Sequence, residues 1–233
     1  MQSATMANAN QASVPTKFQL FRQVFPQVGF VSYISEMRKA LADCRTCLDI
    51  GCGVNSPARF VSFERYVGVD GHEPTVEAAK LKYPDKEFLL ASAQELTKMF
   101  QENEFDCVVA LDLIEHLPKE DGFKFIEDIS RIARKKVLLF TPNGFLPQQS
   151  HDGDLQEHLS GWDAAEMKAL GFKVIGMHGP KKLRGEYHKH KIKPAALGGI
   201  VCQLCHWAWT RNHPETAAAI MCIKDVSSSK SGS

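Results

Sequence analysis

The chain lacks a dominant charge. Its 28 Lys and Arg stand against 27 Asp and Glu, a net charge of +1 over 233 residues. Gripping a phosphate backbone takes a surplus of cations, so no obligatory nucleic-acid partner is expected. A membrane-crossing run is missing too: the most apolar stretch, Ala195 to Trp209, is fifteen residues, too short for a bilayer. Met1 to Thr16 has neither a basic start nor an apolar core, so it reads as a disordered polar tail and not as a signal peptide. Paired cysteines are not implied either. The seven are odd in number and sit mostly in apolar strands, which fits free thiols in a reducing compartment and a cytoplasmic location. Two pairs have Cys-x-x-Cys spacing, Cys44 with Cys47 and Cys202 with Cys205. They stand more than 150 residues apart, and Cys47 should be buried in a strand as a small hydrophobe, so no zinc site is expected. With 44% apolar and 24% charged residues, one ordinary α/β domain is the natural count.

A third glycine is absent from the stretch that organises the rest. Thr46 to Ile50 is a short buried strand running into Gly51-Cys52-Gly53, where glycine permits positive φ and lets a ligand reach bare backbone. This is the first half of a dinucleotide fingerprint, which asks for an acid about 20 residues on to take ribose hydroxyls. Asp70 stands 19 residues after Gly51, at the end of a second strand, Tyr66 to Asp70. Asp49, two residues before the first glycine, narrows the ligand. A carboxylate there would repel a pyrophosphate and attract an ammonium group. A nucleoside with a cationic amino-acid tail, S-adenosylmethionine, fits better than NAD.

Strands and helices then alternate, as a parallel sheet with right-handed crossovers requires. A helix is expected over Val31 to Ala42, preceded by Phe18, Phe21 and Phe25 on one helical face. Further expectations are a short helix at Ser56 to Val61, a helix from Glu73 to Tyr83, a strand from Glu87 to Ala91 and a helix from Ala93 to Gln101. Next come a strand from Asp106 to Leu111, an amphipathic helix from Lys119 to Ala133, and a strand from Lys136 to Thr141. In that helix Phe123, Ile126, Ile129 and Ile132 recur at three-residue steps as the core face. A helix from Asp163 to Leu170, capped by Asp163 or Ser160, and strands at Phe172 to Met177 and Ala217 to Ile223 complete a seven-stranded sheet. Lys181 to Lys193 carries six basic residues against one Glu, ahead of the apolar Ala195 to Trp209. Packing on the sheet with a solvated basic face is one reading of 181–209. Peripheral contact with an anionic membrane through the lysines, Trp207 and Trp209 is the other.

Leu48-Asp49-Ile50-Gly51-Cys52-Gly53, Val67-Gly68-Val69-Asp70 and Phe105 to Leu117, which contains Asp112-Leu113-Ile114-Glu115-His116, resemble class I S-adenosylmethionine-dependent methyltransferases. The closest likeness is to the small-molecule, methyltransferase-11 branch, over about residues 44 to 180. The resemblance implies a Rossmann-like, doubly wound, mostly parallel sheet with helices on both faces. It implies one domain over 17–225 with a variable insertion at 181–210, and a disordered tail at 226–233. It also implies a donor site. Gly51, Cys52 and Gly53 would lie along the methionine tail and sugar, Asp49 near the ammonium, and Asp70 and Gly71 at the ribose. Ser92 and Ala93 would lie at the adenine edge, with Asp112 and Leu113 near the sulfur. Many relatives carry Asp where Ser92 stands, which leaves the adenine amino contact to backbone.

His116 titrates near neutrality and is the candidate catalytic base, with an architectural role as the alternative. Asn143, His158 and Trp162 are candidate substrate contacts, a helix cap and core packing being the plainer explanation of the last two. No resident metal is expected from the acids and histidines of 151–158, which read as a solvated loop. No Asn-Pro-Pro-Tyr sequence follows the fourth strand, which disfavours the adenine- and glutamine-modifying branches. The expected acceptor is a small molecule, sugar or lipid methylated at oxygen. A protein or RNA acceptor, or a nucleotide-binding domain without catalysis, is the alternative.

Overall fold

The computed structural model describes residues 33–147, 157–183 and 192–227. The expected N-terminal tail, the Phe18–Phe25 face and most of the 148–158 and 184–191 stretches lie outside the described residues. From residue 33 a first helix (α1, 33–40) leads into strand β1, Thr46–Ile50. Then follow β2 (Arg65–Asp70), α2 (Glu73–Lys82), β3 (Glu87–Leu90), α3 (Leu96–Met99) and β4 (Phe105–Leu111). The chain continues through α4 (Lys119–Ile132), β5 (Ala133–Pro142), α5 (Ala164–Ala169), β6 (Lys173–Pro180), α6 (Ala195–Cys205) and β7 (Ala217–Asp225).

The seven strands form one sheet in the order β3-β2-β1-β4-β5-β7-β6. β1 to β5 run parallel; β7 is antiparallel to both β5 and β6. Strand order therefore reverses between β1 and β4, and the carboxyl ends of those two strands open the crevice where such sheets take ligands. Both strands are apolar nearly throughout because each is covered on both faces. Their alternation sorts the side chains: Leu48, Ile50, Val108 and Ala110 join one core layer, and Cys47, Cys107, Val109 and Leu111 the other.

The core face of α4 differs from the three-residue reading. Phe125, Ile126, Ile129 and Ile132 are buried, while Phe123 is 42% exposed and lies edge-on to the Trp162 ring at 5.1 Å. A strict step of three drifts about 60° per repeat around a 3.6-residue helix, so the first member leaves the face. α3 is shorter than expected because Ser92 turns back on Glu95 before it. The short helix after the glycine turn is a single turn, Pro57–Phe60, capped by the Ser56 hydroxyl. Asp163, not Ser160, caps α5, accepting from the amides of Ala165 and Glu166 at 2.9 Å each. Val226 is buried, so any tail begins after it.

α6 lies on β6, where Gly176 and Gly179 make room: a Cβ on Gly176 would stand 2.0 Å from the Thr210 carbonyl oxygen, and one on Gly179 2.7 Å from that of Cys202. Cys202, His206 and Thr210 are buried on this side. Of the basic residues expected to form a solvated face, Arg184, Lys189 and Lys191 lie outside the described residues, and α6 itself carries none. Its outward stripe is Leu197, Ile200 and Leu204, continued by Trp207 and Trp209, which are 52% and 54% exposed. None of the seven cysteines forms a disulfide with another.

Candidate active site

The glycine turn after β1 is held from β2. The amides of Gly51 and Cys52 donate to the Val69 carbonyl at 2.8 and 3.1 Å, and the Gly53 amide donates to Asp70 Oδ2 at 2.9 Å. Asp70 Oδ1 accepts from the His72 amide at 3.0 Å. Gly51 and Gly53 have φ of +68° and +54°, a region that a side chain would strain. A Cβ on Gly51 would press on Leu113 Cδ1 at 3.0 Å, whereas nothing stands within 4 Å of one on Gly53. The turn thus offers bare backbone with open space above it, between Leu113 and Asp70.

Asp49 lies beneath this turn, wholly buried. Its Oδ2 accepts from the Tyr66 hydroxyl at 2.6 Å; its Oδ1 has no partner at hydrogen-bond geometry among the described residues, although the Ser56 hydroxyl is close enough to stabilise the carboxylate. Burial pushes its pKa up to about 6 against the opposing pull of its hydrogen bonding. An orphaned buried carboxylate oxygen beneath a glycine turn suits a ligand that brings a positive charge, as an amino-acid tail does. Cys52 is buried with its thiol against Gly68, and Gly71 is exposed beside Asp70. At the end of β3 the Ser92 hydroxyl donates to Glu95 Oε2 at 2.7 Å, so it is spent on its own turn; Ala93 packs partly against the core.

The end of β4 supplies the other wall. Asp112 adopts φ +51° while its amide donates to the Phe140 carbonyl at 2.9 Å; that twist turns the chain out of the sheet. A single turn, Ile114–His116, follows. Glu115 is buried, and Thr141 Oγ1 donates to its Oε2 at 3.0 Å. The Glu115 carbonyl accepts from the amides of Leu159 and Ser160 at 2.8 and 3.0 Å. Ser160 Oγ donates to the Ile114 carbonyl at 3.2 Å and accepts from Trp162 Nε1 at 2.9 Å. These bonds sew residues 159–162 onto the β4 turn and bring His158 beside His116, ring centres 4.9 Å apart.

Burial raises the pKa of both Asp112 and Glu115, and the Asp112 charge raises that of Glu115 further. Asp112 as a residue is exposed, yet protein atoms crowd its carboxyl closely enough to weaken its hydration. Desolvation lowers the His116 pKa below the usual imidazole value. Each imidazole uses Nδ1 on a backbone carbonyl: His116 on Glu157 at 2.9 Å, His158 on Leu146 at 2.7 Å. A carbonyl only accepts, so in the neutral form of each ring Nδ1 carries the proton and Nε2 is the nitrogen with the lone pair.

Two sequence candidates leave the substrate set. Asn143 Nδ2 donates to the carbonyls of Pro214 and Ala217, both at 2.8 Å, so its amide ties β5 to the approach to β7. Trp162 is fully buried beneath α4, its ring 2.3 Å from where a Cβ on Gly122 would stand. One neighbour was missed. Tyr33 of α1 is buried edge-on against Phe140 at 4.7 Å, and after burial itself the charges of Asp112, Asp49 and Glu115 raise its pKa. A lone Tyr ahead of the first strand carries no spacing signal that could have announced this.

Comparison with known proteins agrees with this geometry. A family model described as a methyltransferase domain matches residues 48–141. The sterol 24-C-methyltransferase of Saccharomyces cerevisiae is 34% identical over 84 residues, 32% of this chain and 21% of the yeast protein. That of Aspergillus fumigatus is 30% identical over 119 residues, 48% of this chain and 30% of its own. The chain spans less than a third of the length of these curated relatives. Among solved structures, a SAM-dependent methyltransferase from Archaeoglobus fulgidus superposes with a TM-score of 0.51 at 16% identity, covering 90% of this chain and 99% of that one. The methyltransferase domain of bacterial CtHen1-C gives 0.53 at 17% identity, covering 85% and 97%. Both share the fold. Residues 48–141 thus match a methyltransferase-domain model, and the sheet with its β1–β4 crevice and glycine turn has the fold of the two superposed methyltransferases.

Proposed function

We propose that the chain transfers the methyl group of S-adenosylmethionine to an oxygen of a small, lipid-like acceptor. The observation that carries the reading is the crevice itself. On one side stands the Gly51–Gly53 turn with the unpartnered Asp49 oxygen and Asp70; on the other stand Glu115, His116 and His158. In this reading Asp70 accepts the ribose hydroxyls, Gly53 faces the methionine tail, Asp49 offsets its ammonium, Ala93 borders the adenine, and Leu113 lines the space near the sulfur. His116 and its neighbours meet the acceptor. The donor supplies an electrophilic methyl group on a sulfonium. The protein's part is to hold acceptor and donor in line and to keep water out, which supplies much of the rate in such reactions.

Lipid character is supported by α6. Its outward stripe of Leu197, Ile200, Leu204, Trp207 and Trp209 is exposed, with Lys181, Lys182 and Lys193 nearby in the chain. Tryptophan favours membrane interfaces, and each basic residue near anionic headgroups adds about 1 kcal/mol at low salt. An anionic bilayer is the occupant we assign to this face. No helix among the described residues is long and apolar enough to cross a membrane. The sterol acceptors in the names of the two curated relatives point to the same class of substrate.

The test uses donor labelled in the methyl group, incubated with the chain and cell extract. Label should enter the organic-solvent fraction, in a product that retains it through base hydrolysis as an ether does. Label confined to acid-precipitable protein or RNA would replace the lipid-like acceptor with a macromolecule. Sedimentation with anionic vesicles should carry the chain down at low salt and release it at high salt; a chain that stays in the supernatant at low salt removes the membrane assignment.

A further inference from the structure

The group formed by Glu115, His116 and His158 resembles a binding site more than a solvated cluster. One donor atom from each of the three lies within 4.8 Å of the other two. The residues arrive from separate places, the β4 turn and a segment more than 40 residues later, and the amides of Leu159 and Ser160 hold the two together on the Glu115 carbonyl. Each imidazole donates from Nδ1 to a fixed backbone carbonyl. This outer-shell arrangement fixes the tautomer and ring orientation of a metal-bound histidine and leaves Nε2 as the ligating atom. The carboxylate is likewise held: Glu115 Oε2 accepts from Thr141 Oγ1 at 3.0 Å. Neither Nε2 has a hydrogen-bond partner among the described residues.

We propose that Glu115, His116 and His158 bind one first-row divalent cation of the manganese, cobalt and zinc class. Imidazole nitrogen paired with a carboxylate suits these ions better than magnesium, which prefers oxygen alone. Metal bonds to such donors are about 2.0–2.2 Å, so two ligands of one ion stand at most about 4.4 Å apart. The observed 4.8 Å limit asks for a closure of a few tenths of an ångström, within reach of side-chain rotation. Three protein ligands leave coordination positions open, the pattern of a working site and not of a structural one. The site departs from the absence of a resident metal expected from the sequence, and it gives the free Nε2 of His116 a use other than that of a base. Cation binding stands without the methyl-transfer reading. If that reading also holds, the open positions face the acceptor, and an oxygen-rich acceptor is the class they would hold.

The probe is cobalt(II) alone, added to the full chain after removal of metals with a chelator and without an affinity tag. The expected result is uptake of one cobalt per chain with a visible absorption band, displaced by zinc. His116→Gln and His158→Gln should each weaken cobalt binding by at least about tenfold, and the double variant should abolish the band. Melting curves check that the variants fold; if the histidine variants do not, the near-isosteric Glu115→Gln, which keeps an acceptor for Thr141, should show the same weakening. No stoichiometric uptake by the unmodified chain up to about 1 mM cobalt, a range that excludes all but negligible affinity, overturns the proposal. So does a double variant that binds cobalt as the unmodified chain does. S-Adenosylhomocysteine binding, measured on the same metal-free sample, separates the two accounts: donor binding without cobalt uptake removes the cation and leaves the methyltransferase reading standing.

Discussion

Replacing Asp49 with Asn should flatten the dependence of stability on pH and weaken donor binding at the same time. Asp49 is wholly buried, one oxygen has no hydrogen-bond partner among the described residues, and burial raises its pKa from 3.8 to about 6. Because the folded value lies above the unfolded one, the advantage of the protonated carboxyl is fully present below about pH 3.8 and is lost as pH rises through about 6. The total is about 3 kcal/mol, at about 1.4 kcal/mol for each tenfold change in proton affinity. About 2 kcal/mol of it falls between pH 4.5 and pH 8. The amide keeps an acceptor for the Tyr66 hydroxyl and places an NH₂ where Oδ1 stood; that group's cost does not depend on pH. Urea titrations followed by tryptophan fluorescence at a series of pH values should therefore give a difference between the two chains that changes by about 2 kcal/mol over this range. All other titrating groups cancel in the difference. Affinity for S-adenosylhomocysteine should rise with pH through 6 in the unmodified chain, as the ammonium favours the ionised carboxylate, and should be weaker and flat in Asp49→Asn. Parallel stability profiles would show that the buried carboxyl has an ordinary pKa. Equal affinities would remove Asp49 from the ammonium.

Three further outcomes follow from the same geometry. Asp70→Ala removes the charge-assisted bonds expected at the ribose, at about 1.5–3 kcal/mol, and calorimetry should show donor affinity reduced by about ten- to a hundredfold. His116→Asn should lower turnover by about a hundredfold or more with S-adenosylhomocysteine affinity nearly unchanged; a loss of stability without a specific loss of turnover would make the residue structural. Gly122→Ala drives a methyl to 2.3 Å from the Trp162 ring, an overpacking that should cost about 1–3 kcal/mol by urea denaturation, and an unchanged midpoint would mean the ring can move aside.

Much of the fold was legible because its signals are local. The glycine turn, the acid at the end of β2 and the alternation of apolar strands with amphipathic helices each sit within a short window of sequence, and they meet in one seven-stranded, mostly parallel sheet. What was illegible depends on contacts across the chain. His158 reaches His116 only through the bonds of Leu159 and Ser160 to Glu115. Asn143 and Trp162 looked available because loops near a crevice often carry ligand contacts, yet one is consumed by three backbone carbonyls and the other fills the space Gly122 leaves. The positive φ of Asp112 leaves no mark in the sequence, since Asp tolerates that region without requiring it. α6 reads as apolar all round, and only its docking on Gly176 and Gly179 decides which face is left to solvent.

The central claim, that the β1–β4 crevice binds the methyl donor, is tested most directly by titrating S-adenosylhomocysteine into the full chain in a calorimeter at pH 7.5. The account predicts one site per chain with a dissociation constant in the micromolar range, about −7 to −8 kcal/mol, and none of that heat in a chain carrying both Asp49→Asn and Asp70→Ala. No binding heat at millimolar ligand, or equal heat in the unmodified and doubly substituted chains, would contradict it.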